Sequence, residues 1–272
     1  MNIQNIPDIL LDFYKLTYFK HLHFSLKKEH FYYDDFESCL KNNFRQSETN
    51  LYLSQKNTYI NEVRSKVITK DLFQQNICPN IYLDFGYGNG KMSAEICNHY
   101  KSINKFYGIE SESQAIPINV GVTSSFHNAL CYVNENVDII SCIHTLHHLP
   151  IAEQEKILVE IYNSLEFGGI LYLVEDTWKV ERAKEDFGST NESFIRSILE
   201  LNDIISNNWF YSKALICQKD YYRDFDNWLK LLLKIGFEIN YKNYTGFNSE
   251  RLHGVPNITI IAKKACHQRA VL

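Results

Sequence analysis

Apolar positions along the chain alternate between two periods. Short apolar or aromatic runs at Asn80–Leu83, Lys105–Ile109, Ile118–Val122, Val137–Ile143 and Ile170–Val174 predict strands covered on both faces. Helical spacings lie between them. Ile60, Val63, Val67, Ile68 and Leu72 share one face, with Asn57 or Thr58 as N-cap and Pro79 beyond the end. Further helices are predicted from Lys91 to Asn98, from Ile151 to Leu165 with Gly168-Gly169 as the stop, and from Asp224 to Ile235 closed by Gly236. Phe237–Tyr241 and Asn257–Lys263 read as an antiparallel final pair. Alternating strands and helices predict an α/β chain built on a mostly parallel sheet.

Two stretches exceed what that sheet requires. Residues 1 to about 50 are rich in aromatic side chains, and Leu10, Phe13, Tyr14, Thr17 and Tyr18 predict a helix from Asp8 to Leu26. A polar linker at Ser47–Asn57 follows. After the fifth strand, Ser189-Thr-Asn-Glu192 fits a capping box ahead of a helical run from Phe194 to Ile205, with Trp178, Trp209, Phe210 and Tyr211 on its flanks. The tail from Ala265 to Leu272 is expected to be loose.

Composition narrows the class. The 272 residues are 45% hydrophobic and 22% charged, enough for a full core, and a net charge of -4 argues against a general nucleic-acid surface. The seven cysteines are odd in number and lack a C-x-x-C pair, so reduced thiols in a cytoplasmic protein are expected. No apolar run approaches the length of a membrane span.

The chemistry centres on Ile81-Tyr-Leu-Asp-Phe-Gly-Tyr-Gly-Asn-Gly-Lys91, where Asp84 and three alternating glycines separate a strand from a helix. Glycine loops in this place let backbone approach a ligand closely. The spacing is G-x-G-x-G, not the G-x-G-x-x-G of dinucleotide sites, and Asp84 would repel a pyrophosphate while facing a cation. Glu110 ends the second strand, where an acid accepts hydrogen bonds from ribose hydroxyls. The loop, the Val137–Asp176 phrase with its Leu-His-His-Leu and Gly-Gly-Ile-Leu, and the Trp228 to Phe237 junction together resemble the class I S-adenosylmethionine-dependent methyltransferases.

That resemblance implies a Rossmann-like seven-stranded, mostly parallel sheet with an antiparallel last strand. It divides the chain into a helical extension over 1–76, a methyltransferase domain over 77–264 and, within it, a helical lid over 177–222. It implies S-adenosyl-L-methionine as cofactor, bound by Asp84, Gly86, Gly88, Gly90, Glu110, Ser124 and Cys142, and direct methyl transfer to an acceptor held in line. His144 is the candidate general base, because the family places groups facing donor and acceptor at the end of the fourth strand. No metal is expected: His144 and His148 lie four apart, but a third zinc ligand and the H-E-x-x-H glutamate are missing.

The chain departs from the family pattern between the second and third strands, where Ser111–Ile116 replaces a full helix and Thr123, Ser124 and Ser125 stand where an acid usually meets the adenine amine. The N-P-P-Y motif of amino-group methyltransferases is absent, and Cys142 lacks a preceding proline, which sets aside cytosine-C5 chemistry. A small-molecule acceptor is the first reading, with Tyr244, Arg251 and His253 within its reach. Two alternatives stay open. One is an RNA or RNA-cap methyltransferase of the viral kind, and the other a catalytically silent binding module.

Overall fold

In the computed structural model the described residues are 64–88, 90–110, 122–203, 219–246 and 255–265. The predicted helix at Asp8–Leu26, the linker at Ser47–Asn57, Trp209 to Tyr211, Arg251, His253 and the tail beyond Ala265 lie outside them. Helix α1 spans residues 64–73, and strand β1 spans Ile81–Phe85. Helix α2 (Lys91–His99) leads to β2 (Lys105–Ile109) and β3 (Thr123–His127). Strand β4 (Val137–Ile143) runs through a short helical turn at Leu146–His148 into α3 (Ile151–Ser164) and β5 (Leu165–Asp176). The remaining elements are α4 (Ala183–Phe187), α5 (Glu192–Asp203), α6 (Phe225–Ile235), β6 (Phe237–Thr245) and β7 (Asn257–Lys264).

The seven strands form one sheet in the order β3-β2-β1-β4-β5-β7-β6, parallel from β3 to β5 and antiparallel at its end. Sequence order reverses between β1 and β4, which leaves a crevice at their carboxyl ends, where such sheets take ligands. Alternation along the strands assigns each side chain to a face. Tyr82, Phe106, Ile139, Ile170 and Tyr172 point to the face covered by Ile68 and Leu72 of α1 and Ile96 and Cys97 of α2. Leu83, Ile140, Leu171 and Leu173 are buried on the opposite face. At the amino edge, Asp138 Oδ2 accepts the Asn80 and Ile81 amides at 2.8 and 2.9 Å, which fixes β1 to β4 where β1 begins. Among the described residues no helix is long and apolar enough to cross a membrane.

Four boundaries differ from the sequence reading. The third strand is Thr123–His127, a register that places Phe126 against Phe106 and Tyr87; of the predicted Ile118–Val122, positions 118–121 lie outside the described residues. Helix α3 ends at Ser164, before the glycine pair. Gly168 instead takes φ 80° within β5, where Val137 pairs with Leu165 but Ile139 with Ile170, so the extra residues bulge outward. A Cβ on Gly169 would lie 2.8 Å from the Glu166 carbonyl oxygen, so the bulge excludes any side chain there. Asp84 lies inside β1, not beyond its end. The cap of α5 is Asn191, whose Oδ1 accepts the Phe194 amide at 3.1 Å; Ser189 binds the Asn191 amide instead.

The described residues fall into two compact units. One holds those between 64 and 175 together with 226–243 and 258–265, and so carries the sheet. The other holds 176–203, 219–225, 244–246 and 255–257. Within that second unit Trp178 is fully buried under the Arg196 guanidinium, 4.9 Å from its ring, so this tryptophan packs the unit. Tyr222 donates to Asp203 at 2.8 Å and Tyr244 to Asp186 at 2.6 Å.

Candidate functional site

The glycine loop owes its shape to backbone conditions that side chains rarely meet. Gly86, Gly88 and Gly90 have φ of 84°, 55° and 70°, all in the left-handed region. Two of these glycines serve different ends. A Cβ on Gly86 would fall 2.2 Å from Thr145 Oγ1, so protein fills that space. A Cβ on Gly88 would meet nothing within 4 Å, so the backbone there faces open space. Tyr87, between them, turns its ring inward against Phe126, and Gly108 on β2 leaves room for it.

The loop is fastened to the end of β2. The Gly86 amide donates to the Ile109 carbonyl at 2.8 Å, and the Gly88 amide donates to Glu110 Oε2 at 3.1 Å. Glu110 therefore stands beside the open glycine, and its own amide bonds the His127 carbonyl at the end of β3. Gly90 is the N-cap residue of α2.

Asp84 is wholly buried beneath this loop. Its Oδ1 accepts the Ser141 hydroxyl at 2.7 Å and its Oδ2 accepts the Ser93 hydroxyl. Burial pushes its pKa up to about 6, against the pull of those two hydroxyls, and the charge of Glu110 adds to the rise. Asp84 thus acts on the loop from below, without a surface of its own.

At the end of β4 the chain turns sharply. His144 has φ 49°, and its amide donates to the Val174 carbonyl at 2.8 Å. A non-glycine residue in that region is held there by its surroundings. The surroundings include Glu175, at the end of β5 and fully buried. Its Oε1 accepts the Leu146 amide at 2.8 Å and the Thr145 amide at 3.1 Å, while its Oε2 meets the His147 amide and the His147 Nδ1. Burial alone would raise this carboxyl, yet the His147 ring and the donors hold it below its ordinary value.

The structure brings Gly86, Gly88, Gly90, Glu110 and His144 to the carboxyl edge of the sheet, with Asp84 under them. It does not bring Ser124 there. Ser124 pairs with Phe106 at the amino end of β3, about 10 Å along the strand from His127 at the end beside Glu110. Cys142 is buried within β4 opposite Phe85, and desolvation raises its thiol well above the ordinary range, so it stays protonated. Sequence reading missed Thr145, Ser93, Ser141 and Glu175. Ser141 had a visible signal, being a hydroxyl inside an apolar strand, and Asn128 now holds the position just past β3.

Comparison with known proteins agrees with this geometry. A family model described as a methyltransferase domain matches residues 56–239. No curated protein sequence matches the chain. Among solved structures, magnesium protoporphyrin IX methyltransferase from Synechocystis PCC 6803, with bound S-adenosylhomocysteine, is 15% identical, covering 87% of this chain and 97% of its own at a TM-score of 0.50. The plantazolicin methyltransferase, in complex with a triazolic desmethyl analogue and S-adenosylhomocysteine, is 18% identical over 83% of this chain and 93% of its own, with a TM-score of 0.52. An O-methyltransferase family protein from Burkholderia thailandensis is 10% identical over 96% of this chain and 70% of its own, at 0.53. At these identities the solved structures speak to the fold, and the family model, spanning more than half of the chain, speaks to membership. With that match and a seven-stranded sheet of this order, the chain belongs to the class I S-adenosylmethionine-dependent methyltransferases.

Proposed function

We propose that this chain transfers the methyl group of S-adenosylmethionine to an oxygen or nitrogen of a small-molecule acceptor. The observation that carries the donor half is Gly88, whose left-handed backbone faces open space beside Glu110, so that a ligand meets bare backbone there. Gly86, Gly88 and Gly90 give the donor backbone to lie against, Glu110 offers a carboxylate for ribose hydroxyls, and Asn128 offers an amide to the adenine. S-adenosylmethionine supplies a methyl already activated by its sulfonium. In this reading His144, at the turn after β4, orients the acceptor and takes its proton as the new bond forms.

The acceptor class rests on likeness and on charge. Two of the solved relatives act, by their names, on a protoporphyrin and on plantazolicin, and a third belongs to an O-methyltransferase family. A net charge of -4 favours such acceptors over a polyanion. Free thiols at Cys78, Cys97, Cys131 and Cys142 support a reducing, cytoplasmic setting.

Calorimetric titration with S-adenosylmethionine tests the donor half. Binding at about micromolar strength, near -8 kcal/mol, is expected for the wild type, and Gly88→Arg and Glu110→Ala should each lose at least tenfold. Failure of the wild type to bind would sink the reading. The acceptor half is tested by counting S-adenosylhomocysteine released with phenols, carboxylic acids and capped RNA. Turnover on RNA alone would replace the small-molecule acceptor.

A further inference from the structure

The largely apolar face of the sheet that packs on α1 and α2 holds, besides the Tyr172–Asp71 pair, a chain of hydroxyls that ends on Asp84. Tyr82 and Ser141 approach at 2.7 Å, Ser141 donates to Asp84 Oδ1 at 2.7 Å, and Ser93 donates to Asp84 Oδ2. Ser141 has a single proton, already given to the carboxylate, so the Tyr82 hydroxyl is the donor in the first contact. All four residues are buried, among Ile96, Ile139 and Ile143. Apolar side chains at all four positions would fill this space at no desolvation cost.

We infer that Tyr82, Ser93 and Ser141 are positioning residues of the donor site, which hold the Asp84 carboxylate charged and fixed beneath the glycine loop as the buried counter-charge of a cationic methyl donor. This rests on the reading that the loop binds S-adenosylmethionine. Asp84 cannot touch the donor, having no exposed surface. Its influence is electrostatic, and the burial of Asp84 keeps its charge weakly screened.

The groups acting on Asp84 explain why the hydroxyls are needed. Tyr82 comes from β1, Ser93 and Cys97 from α2, Ser141 and Cys142 from β4, and Glu110 from the end of β2. Glu110 repels Asp84, and burial penalises its charge more strongly still. Only the hydroxyl donors pull the other way within this set. A cation over the loop reverses the repulsion, since both carboxylates then face opposite charge. The site is thus poised for a ligand carrying a sulfonium and an ammonium, and it resists one carrying phosphate.

The deciding experiment follows the Asp84 carboxyl carbon by NMR from about pH 5 to 7.5, below the range where a free α-amino group loses its proton at about 7.7 to 8. Wild type, Ser93→Ala, Ser141→Ala and Asp84→Asn are compared, with S-adenosylmethionine affinity measured calorimetrically on the same samples. In the wild type the carboxyl should titrate near 6, and affinity should fall about tenfold per pH unit below that midpoint. Each Ser→Ala change should move both midpoints upward by about one pH unit. Asp84→Asn should bind weakly, with no pH dependence in this window, which separates Asp84 from any histidine. The two serine variants are read separately, so loss of folding in one leaves the other to decide. The inference is overturned if the wild type binds with an affinity that stays flat while Asp84 titrates, or if neither serine variant moves either midpoint. A wild type that binds no donor at all, although Asp84 titrates as described, overturns the donor reading itself and this inference with it.

Discussion

Asp84 and Glu175 are both carboxylates at or near the carboxyl ends of central parallel strands, and both are fully buried. Their pKa values move in opposite directions. Asp84 has two hydroxyl donors and a repelling acid nearby, and its carboxyl rises to about 6 from an ordinary 3.8. Glu175 has three backbone amides and the His147 ring, and its carboxyl falls below its ordinary 4.5. Burial is the same, so the donors and the neighbouring charges decide the sign. Glu175 ties the turn after β4 to β5 and contributes stability. Asp84 lowers stability at neutral pH, a cost that makes sense where the missing opposite charge arrives with a ligand.

The largest effect should come from the Glu175 side. Glu175→Ala leaves three amides and His147 buried without their acceptor, and should cost about 3 to 5 kcal/mol in urea unfolding. A loss below about 1 kcal/mol would mean that the turn does not depend on this residue.

Asp84→Asn should do the reverse. Between about pH 4 and 6 the folded chain keeps a proton that the unfolded chain has released, so the Asp84 contribution falls as pH rises through that window. The variant should be indistinguishable from the wild type near pH 4 and more stable above pH 6, by about 1 to 3 kcal/mol. Equal stability at both ends would remove the contrast with Glu175. For Glu175 the sign is opposite, with stabilisation complete above about pH 4.5 and lost as pH falls through its lower folded value.

The smallest effect concerns the glycine loop above Asp84. Gly88→Ala meets no atom and should cost about 1 to 2 kcal/mol for its left-handed backbone alone. Its larger consequence should be weaker donor binding. A stability loss with undiminished affinity would place the ligand elsewhere.

Much of this architecture was legible in the residues. The glycine loop, the register of Glu110 with it and the order of strands follow from period and spacing, since an apolar run between polar turns admits few alternatives. Thr123–His127 was missed because Ile118–Val122 is the more apolar run, while Thr123–His127 is fixed by pairing with β2, a contact that no local pattern encodes. Gly168-Gly169 reads equally as a helix stop and as a bulge, and only the pairing of β4 with β5 distinguishes them. Asp84 was visible as an acid before glycines, but its burial depends on Ser93 and Ser141, nine and 57 positions away.

The packing of Thr145 against Gly86 has a consequence for how such a chain changes over generations. No side chain fits at 86 while Thr145 keeps its methyl and hydroxyl there, and Thr145 is also bonded to the Phe85 and Ile143 carbonyls. A side chain at 86 would therefore require a compensating change at 145. Thr145 follows His144 directly, so a substitution that moves or enlarges the turn after β4 is felt in the glycine loop as well.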